Sequence, residues 1–86
     1  MATDIVIPEP ILKRLNRLPK EVRIKFWEQL EKLTQNPSYP GLRNEKLKGI
    51  DRWAFSITMN YRATYIRDKT SIIITAIGTH QDVLGN

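Results

Sequence analysis

Cysteine is missing from this 86-residue chain, and histidine occurs once, as His80. Without cysteine there is no disulfide, no thiolate nucleophile and none of the zinc sites built on thiolates. A single histidine also rules out the paired-His motif of zinc hydrolases. Any catalysis is therefore expected to be metal-independent and to use no cofactor. Long apolar runs are scarce as well. The longest, Ile72 to Ile77, is interrupted by Thr75 and falls far short of the roughly 20 residues that span a bilayer. The opening stretch MATDIVIPEP carries Asp4 and Pro8 where a secretory signal needs basic residues and then an apolar run, so a soluble, cytoplasmic protein is expected. Repeats and low-complexity tracts are absent.

What is present is positive charge. Fourteen Lys+Arg against nine Asp+Glu give a net +5 and a pI near 9.8. Such a surface attracts polyanions, so nucleic acid or an acidic protein is the expected partner. The excess is uneven: residues 1–49 hold ten basic and six acidic side chains, residues 50–86 four and three. At 10.0 kDa the chain is expected to form one domain, residues 1–86. Folding at this size buries about 64% of the unfolded surface, roughly 9,000 Å².

Hydrophobic periodicity supplies the elements. Ile5, Val6 and Ile7 form a short β-branched run that Pro8 ends. Pro10 then suits a helix start, and Ile11, Leu12, Leu15 and Leu18 recur at helical spacing. Beyond Pro19, Val22, Phe26, Leu30 and Leu33 stripe a second helix whose other side carries Glu21, Lys25, Glu28 and Lys32. The turn formers from Asn36 to Gly41 end it near Gln35 and open a charged loop through Leu42 to Gly49. From Arg52 the period changes to two: Trp53, Phe55, Ile57 and Met59 alternate with Ala54, Ser56 and Thr58. Tyr61 to Arg67 reads as the next strand, Asp68 and Lys69 as a two-residue turn, and Thr70 to Ile77 as a last strand apolar on both faces. The expected fold is α+β: a strand, a helical hairpin, then a three-stranded antiparallel meander with both helices on one sheet face.

Three features stand out as candidate chemistry: Arg62 early in the middle meander strand, His80 just past the last one, and Glu45 with Lys46 and Lys48 in the preceding loop. Taken singly, each reads as ordinary solvated surface, and Tyr61, Tyr65 and Trp53 read as packing aromatics. Hairpin geometry changes this. A turn at Asp68 and Lys69 sets Arg62 opposite Thr75, with His80 a few residues beyond, toward the rim at the Arg62 end. A one-residue slip instead turns Arg62 to the helix face.

The whole chain resembles the RelE/ParE superfamily of bacterial toxins, each held inactive by a cognate antitoxin. The resemblance rests on Glu45-Lys46-Leu47-Lys48-Gly49 before Arg52-Trp53-Ala54-Phe55-Ser56-Ile57, on Asn60-Tyr61-Arg62-Ala63-Thr64-Tyr65, and on the terminal Ile77-Gly78-Thr79-His80-Gln81-Asp82-Val83-Leu84. A Tyr-Arg strand followed 18 positions later by a histidine is most similar to the YoeB and YafQ branches. That resemblance implies a type II toxin acting as a ribosome-dependent mRNA endonuclease. Glu45, Arg62 and His80 then match a general base, a phosphate-binding group and a general acid. Arg43, Lys46, Lys48 and Tyr61 are the matching candidates for RNA contact. Chemically, attack by a 2′-OH on the adjacent phosphate needs a base, a cation for the phosphorane and an acid for the 5′-oxygen. Expected partners are an acidic, partly disordered antitoxin, mRNA and the ribosome, with operator DNA bound only by the antitoxin complex. Two other readings stay open: a ParE-like DNA gyrase inhibitor without nuclease activity, and a binding module that keeps only antitoxin affinity.

Overall fold

The computed structural model describes residues 4–84. Its order is β1 (Asp4–Val6), α1 (Glu9–Asn16), α2 (Lys20–Gln35), a 3-10 turn (Pro40–Leu42), β2 (Glu45–Lys46), β3 (Trp53–Ser56), β4 (Tyr61–Asp68), β5 (Ser71–Thr79) and α3 (His80–Leu84). The strands make one five-stranded sheet in the order β1-β5-β4-β3-β2. β1 pairs parallel with β5, and every other pairing is antiparallel. The α+β class, the helical hairpin and the meander expected from the sequence are all present. No described helix is long and apolar enough to cross a membrane.

Prolines set the helical boundaries. Pro8 and Pro19 take extended φ/ψ immediately before α1 and α2, which places each helix start where a fixed φ permits it. Leu15, Val22, Phe26, Leu30 and Leu33 then pack against Phe55, Ala63, Tyr65, Ile72, Ile74 and Ile77 on one sheet face. Phe26 is fully buried, with its ring centroid 6.2 Å from that of Phe55. The one buried amide in this layer is satisfied: Gln29 Nε2 donates to the Gly41 carbonyl at 3.1 Å and the Ser56 carbonyl at 2.9 Å. α2 is thereby tied both to the 3-10 turn and to the end of β3.

Four sequence expectations are corrected. The loop from Leu42 to Gly49 is not wholly irregular, because Glu45 and Lys46 pair with Ala54 and Trp53 as an added edge strand. The first meander strand stops at Ser56 rather than running to Met59. The Ile57 and Thr58 amides both donate to the Tyr61 carbonyl, at 2.9 and 3.2 Å, and this tight turn leaves Met59 93% exposed. The β4–β5 turn falls at Lys69 and Thr70, since Asp68 pairs with Ser71 and Lys69 takes the positive φ of 55°. Finally, β5 carries a bulge: Thr64 pairs with Ala76 and Tyr65 with Ile74, leaving Thr75 as the extra residue. In a regular strand Ile74 and Ile77 would point to opposite faces; the bulge turns both into the helix-packed core. This is why the last strand reads as apolar on both faces.

Tyr65 ties the core to the loop before β2. It is fully buried, and its hydroxyl donates to Asn44 Oδ1 at 2.6 Å. Burial pushes its phenol above the ordinary value of 10.0, a shift only partly offset by the nearby Arg67 charge.

Two outcomes are expected. Phe26→Ala should destabilise the fold by about 3–5 kcal/mol in urea unfolding, as for other buried Phe truncations; a loss under ~1 kcal/mol would contradict this packing of α2. Because the folded-state phenol of Tyr65 sits above its unfolded value, its stabilising effect is complete below pH 10.0 and fades as pH rises through the higher folded value. Ultraviolet titration should therefore show that the last phenol to ionise in the wild-type chain is the one missing from Tyr65→Phe.

Candidate functional site

Because Ala63 and Tyr65 face the helices, the alternation along β4 turns Arg62 to the opposite sheet face. Its neighbours across the strands are Ser56 on β3 and Gly78 on β5. Ala54, beside Ser56 on the same face, pairs with Glu45 on β2. Small residues on β3 thus separate Arg62 from Glu45, and the guanidinium spans the gap. Arg62 Nη1 lies 3.2 Å from Glu45 Oε1, and Nη2 donates to the Arg43 carbonyl at 3.1 Å. Arg43 follows the 3-10 turn in a left-handed conformation, φ 49°.

The pair is asymmetric. The Arg62 side chain is 13% exposed and that of Glu45 56%. Arg62 Nε is buried and, among the described residues, has no hydrogen-bond partner. A nearly enclosed cation with a donor unpaired is costly unless an acceptor reaches it, so this guanidinium is suited to receive an anion. Close by on the same face, the Thr64 and Thr75 hydroxyls share a 2.7 Å hydrogen bond across the β4–β5 bulge.

The remaining sequence candidates are placed as follows. His80 is exposed, the first residue of α3 and two positions past Gly78, the cross-strand partner of Arg62. It therefore stands at the Arg62 end of the sheet. Among the described residues, no hydrogen bond or ion pair joins it to Arg62 or Glu45. Lys46 is exposed and pairs with Trp53, so it points to the face opposite Glu45. Lys48 is exposed in the turn leading to β3, and Arg43 is exposed beside its own engaged carbonyl. Tyr61 is half-buried against the core, on the helix side of the sheet. The structure thus joins Glu45, Arg62 and Arg43 directly, sets His80 at the neighbouring rim and sends Lys46 and Tyr61 elsewhere. Among the described residues no group of three His, Asp or Glu could hold a metal ion.

Two features escaped the sequence reading. Arg67 stacks its guanidinium 4.9 Å from the Trp53 ring centroid, beside the stacked Trp53 and Tyr65 rings. At the start of α3, Thr79 and Asp82 cap one another: the Thr79 amide donates to Asp82 Oδ2 at 3.1 Å and the Asp82 amide to Thr79 Oγ1 at 3.2 Å. The spacing Thr-x-x-Asp was the available signal. The Thr79 backbone amide, followed by the Thr79 side chain, holds the Asp82 carboxyl below its ordinary value of 3.8.

No protein-family model matches the sequence, and no curated protein matches it by sequence. Solved structures do match. A chain of the archaeal RelE–RelB complex from Pyrococcus horikoshii OT3 superposes with a TM-score of 0.76 at 24% identity, covering 92% of this chain and 96% of that one. The E. coli toxin RelE, as a mutant in the free state, gives 0.74 at 23% identity over 98% and 90% of the two chains. The YoeB dimer from Staphylococcus aureus gives 0.74 at 21% identity over 93% and 99%. The chain therefore has the fold of the RelE and YoeB toxins.

Proposed function

We propose that this protein is the toxin of a type II toxin–antitoxin pair and that it cleaves mRNA at the ribosome. The observation that carries the reading is Arg62: an almost enclosed guanidinium, held by Glu45 and the Arg43 carbonyl, with Nε unpaired and His80 at the same end of the sheet. A phosphodiester is the anion that makes sense of these groups together. Arg62 binds the scissile phosphate and stabilises the charge that builds on the phosphorane. The exposed Glu45 carboxylate, once released from Arg62 by the incoming phosphate, takes the proton of the ribose 2′-OH as that oxygen bonds to phosphorus. His80 gives a proton to the 5′-oxygen as the P–O5′ bond breaks. The products are a 2′,3′-cyclic phosphate and a free 5′-OH.

Charge supports the same target. The net +5 attracts a polyanion whatever its sequence, and Arg43 and Lys48 extend that attraction around the site. A cognate antitoxin is the natural protein partner, as the similar structures include RelE–RelB and YoeB–YefM complexes. An acidic antitoxin segment that folds on contact suits a basic surface of this size.

Single-turnover cleavage of mRNA on programmed ribosomes tests the assignment. His80→Ala should lower the rate by about 10²–10⁴-fold, and Arg62→Ala by about 10²–10³-fold, with each variant still folded. Full cleavage by both variants would refute the site. A wild-type chain that blocks growth yet leaves mRNA intact would point instead to a binding-only target such as gyrase.

A further inference from the structure

Among the described residues no hydrogen bond or ion pair joins His80 to Arg62 or Glu45, so something else must fix where its ring stands. The arrangement around α3 supplies it. Thr79 and Asp82 form a reciprocal cap across the first turn, with His80 enclosed between them in sequence. The same Asp82 Oδ2 lies 3.4 Å from Arg14 Nη2, which ties the turn to α1. An exposed ion pair of this length contributes little alone. Its effect here is geometric, because one carboxylate oxygen joins the end of β5, the start of α3 and a side chain of α1.

The chain leaves no room for slack at this point. A Cβ on Gly78 would sit 3.0 Å from both Asp82 Cβ and Oδ2 and 3.2 Å from Arg14 Nη2. Gly78 also holds a positive φ of 158°. The absence of a side chain at Gly78 therefore lets Asp82 close down over the strand end. Since Gly78 is the cross-strand partner of Arg62, this latch is built on the strand paired with the one that carries the phosphate-binding residue.

We propose that Asp82 is a positioning residue: it latches the first turn of α3 to β5 and α1 and so holds His80 at the Arg62 end of the sheet. The inference rests on the nuclease reading for what His80 does, though not for the latch itself. Asp82 touches no reacting atom. It acts through His80.

Two measurements test it. Hydrogen exchange at the Thr79 amide, followed by NMR on the purified chain, reads the latch without substrate: exchange should be slow in the wild type and fast in Asp82→Ala, and equal rates would overturn the latch. Single-turnover mRNA cleavage on programmed ribosomes reads the role. Asp82→Ala should lose on the order of 10- to 100-fold in rate, as for displaced catalytic groups, with the half-saturating ribosome concentration unchanged. Asp82→Glu, which can close the same reciprocal cap, should keep most of the rate, and Gly78→Ala should reproduce the loss with Asp82 intact. In a His80→Ala background Asp82→Ala should cost nothing more; an additive loss would show that Asp82 acts elsewhere and would overturn the positioning role. If the wild type cleaves no mRNA while Thr79 exchange behaves as expected, the nuclease reading and the positioning role fall together and the latch stands as structure.

Discussion

The register between β4 and β5 decides almost everything else in this molecule. The bulge at Thr75 turns Ile72, Ile74 and Ile77 together into the helix-packed core. On β4, Ala63 and Tyr65 join them, which leaves Arg62 and Thr64 on the other face. A sheet with one face closed by helices has no freedom to slip, because a one-residue shift would bring Arg62 into the apolar layer and eject Ala63 and Tyr65. The position of this nearly enclosed cation is thus set by apolar packing on the opposite side of the sheet.

The acceptors of that cation are placed by two polar anchors sunk into the core. Gln29 holds the Gly41 carbonyl, and the Tyr65 hydroxyl holds Asn44. Arg43 lies between these fixed points, so its left-handed backbone and its carbonyl are presented to Arg62 by groups that face the helices. Glu45 follows as the first residue of a strand only two residues long, kept in register by Ala54 and Trp53. A charged segment that reads as a free loop is in fact tethered by two buried polar side chains of the core. A buried hydroxyl or amide needs its partner, and here the partner is the loop that completes the site.

The helices, their boundaries, the meander and the core stripe of α2 were legible because each rests on a local pattern: proline placement, a 3.6-residue period, a two-residue period. The details that locate the site were not. Moving the hairpin turn by one residue, to Lys69 and Thr70, shifts the cross-strand partner of Arg62 by two positions, and the Thr75 bulge adds another, which carries it from Thr75 to Gly78. Neither change leaves a mark in the pattern of β4. The Glu45–Lys46 strand is too short to show a period at all, and its pairing depends on where β3 begins. Glu45, Arg62 and His80 could be nominated from residue type and order, whereas the Glu45–Arg62 pair and the separation of His80 required the fold. The Thr79–Asp82 cap is the opposite case, a local signal present in the sequence that only the structure made meaningful.

Fourteen basic side chains give this chain its charge, yet they are not equivalent, and burial is what separates them. Lys13, Arg14, Lys46 and Lys48 are solvated; salt screens them and their attraction to a polyanion is diffuse. Arg62 is 13% exposed and already shares its Nη atoms with two acceptors of unlike kind. The Arg43 carbonyl is part of a fixed backbone turn. The Glu45 carboxylate is the more exposed partner, so exchanging it for another anion returns it to water at low cost. A phosphate reaching this face under the proposed function thus meets a guanidinium whose plane is already set by the carbonyl and whose carboxylate is replaceable. The exchange that binds the phosphate is the same one that frees Glu45 to accept a proton. A lysine in this position would offer one nitrogen on a flexible stem and could not keep the carbonyl contact while changing its anion. The planar fork makes both possible, which is why the chemistry falls to an arginine on the middle strand of the sheet.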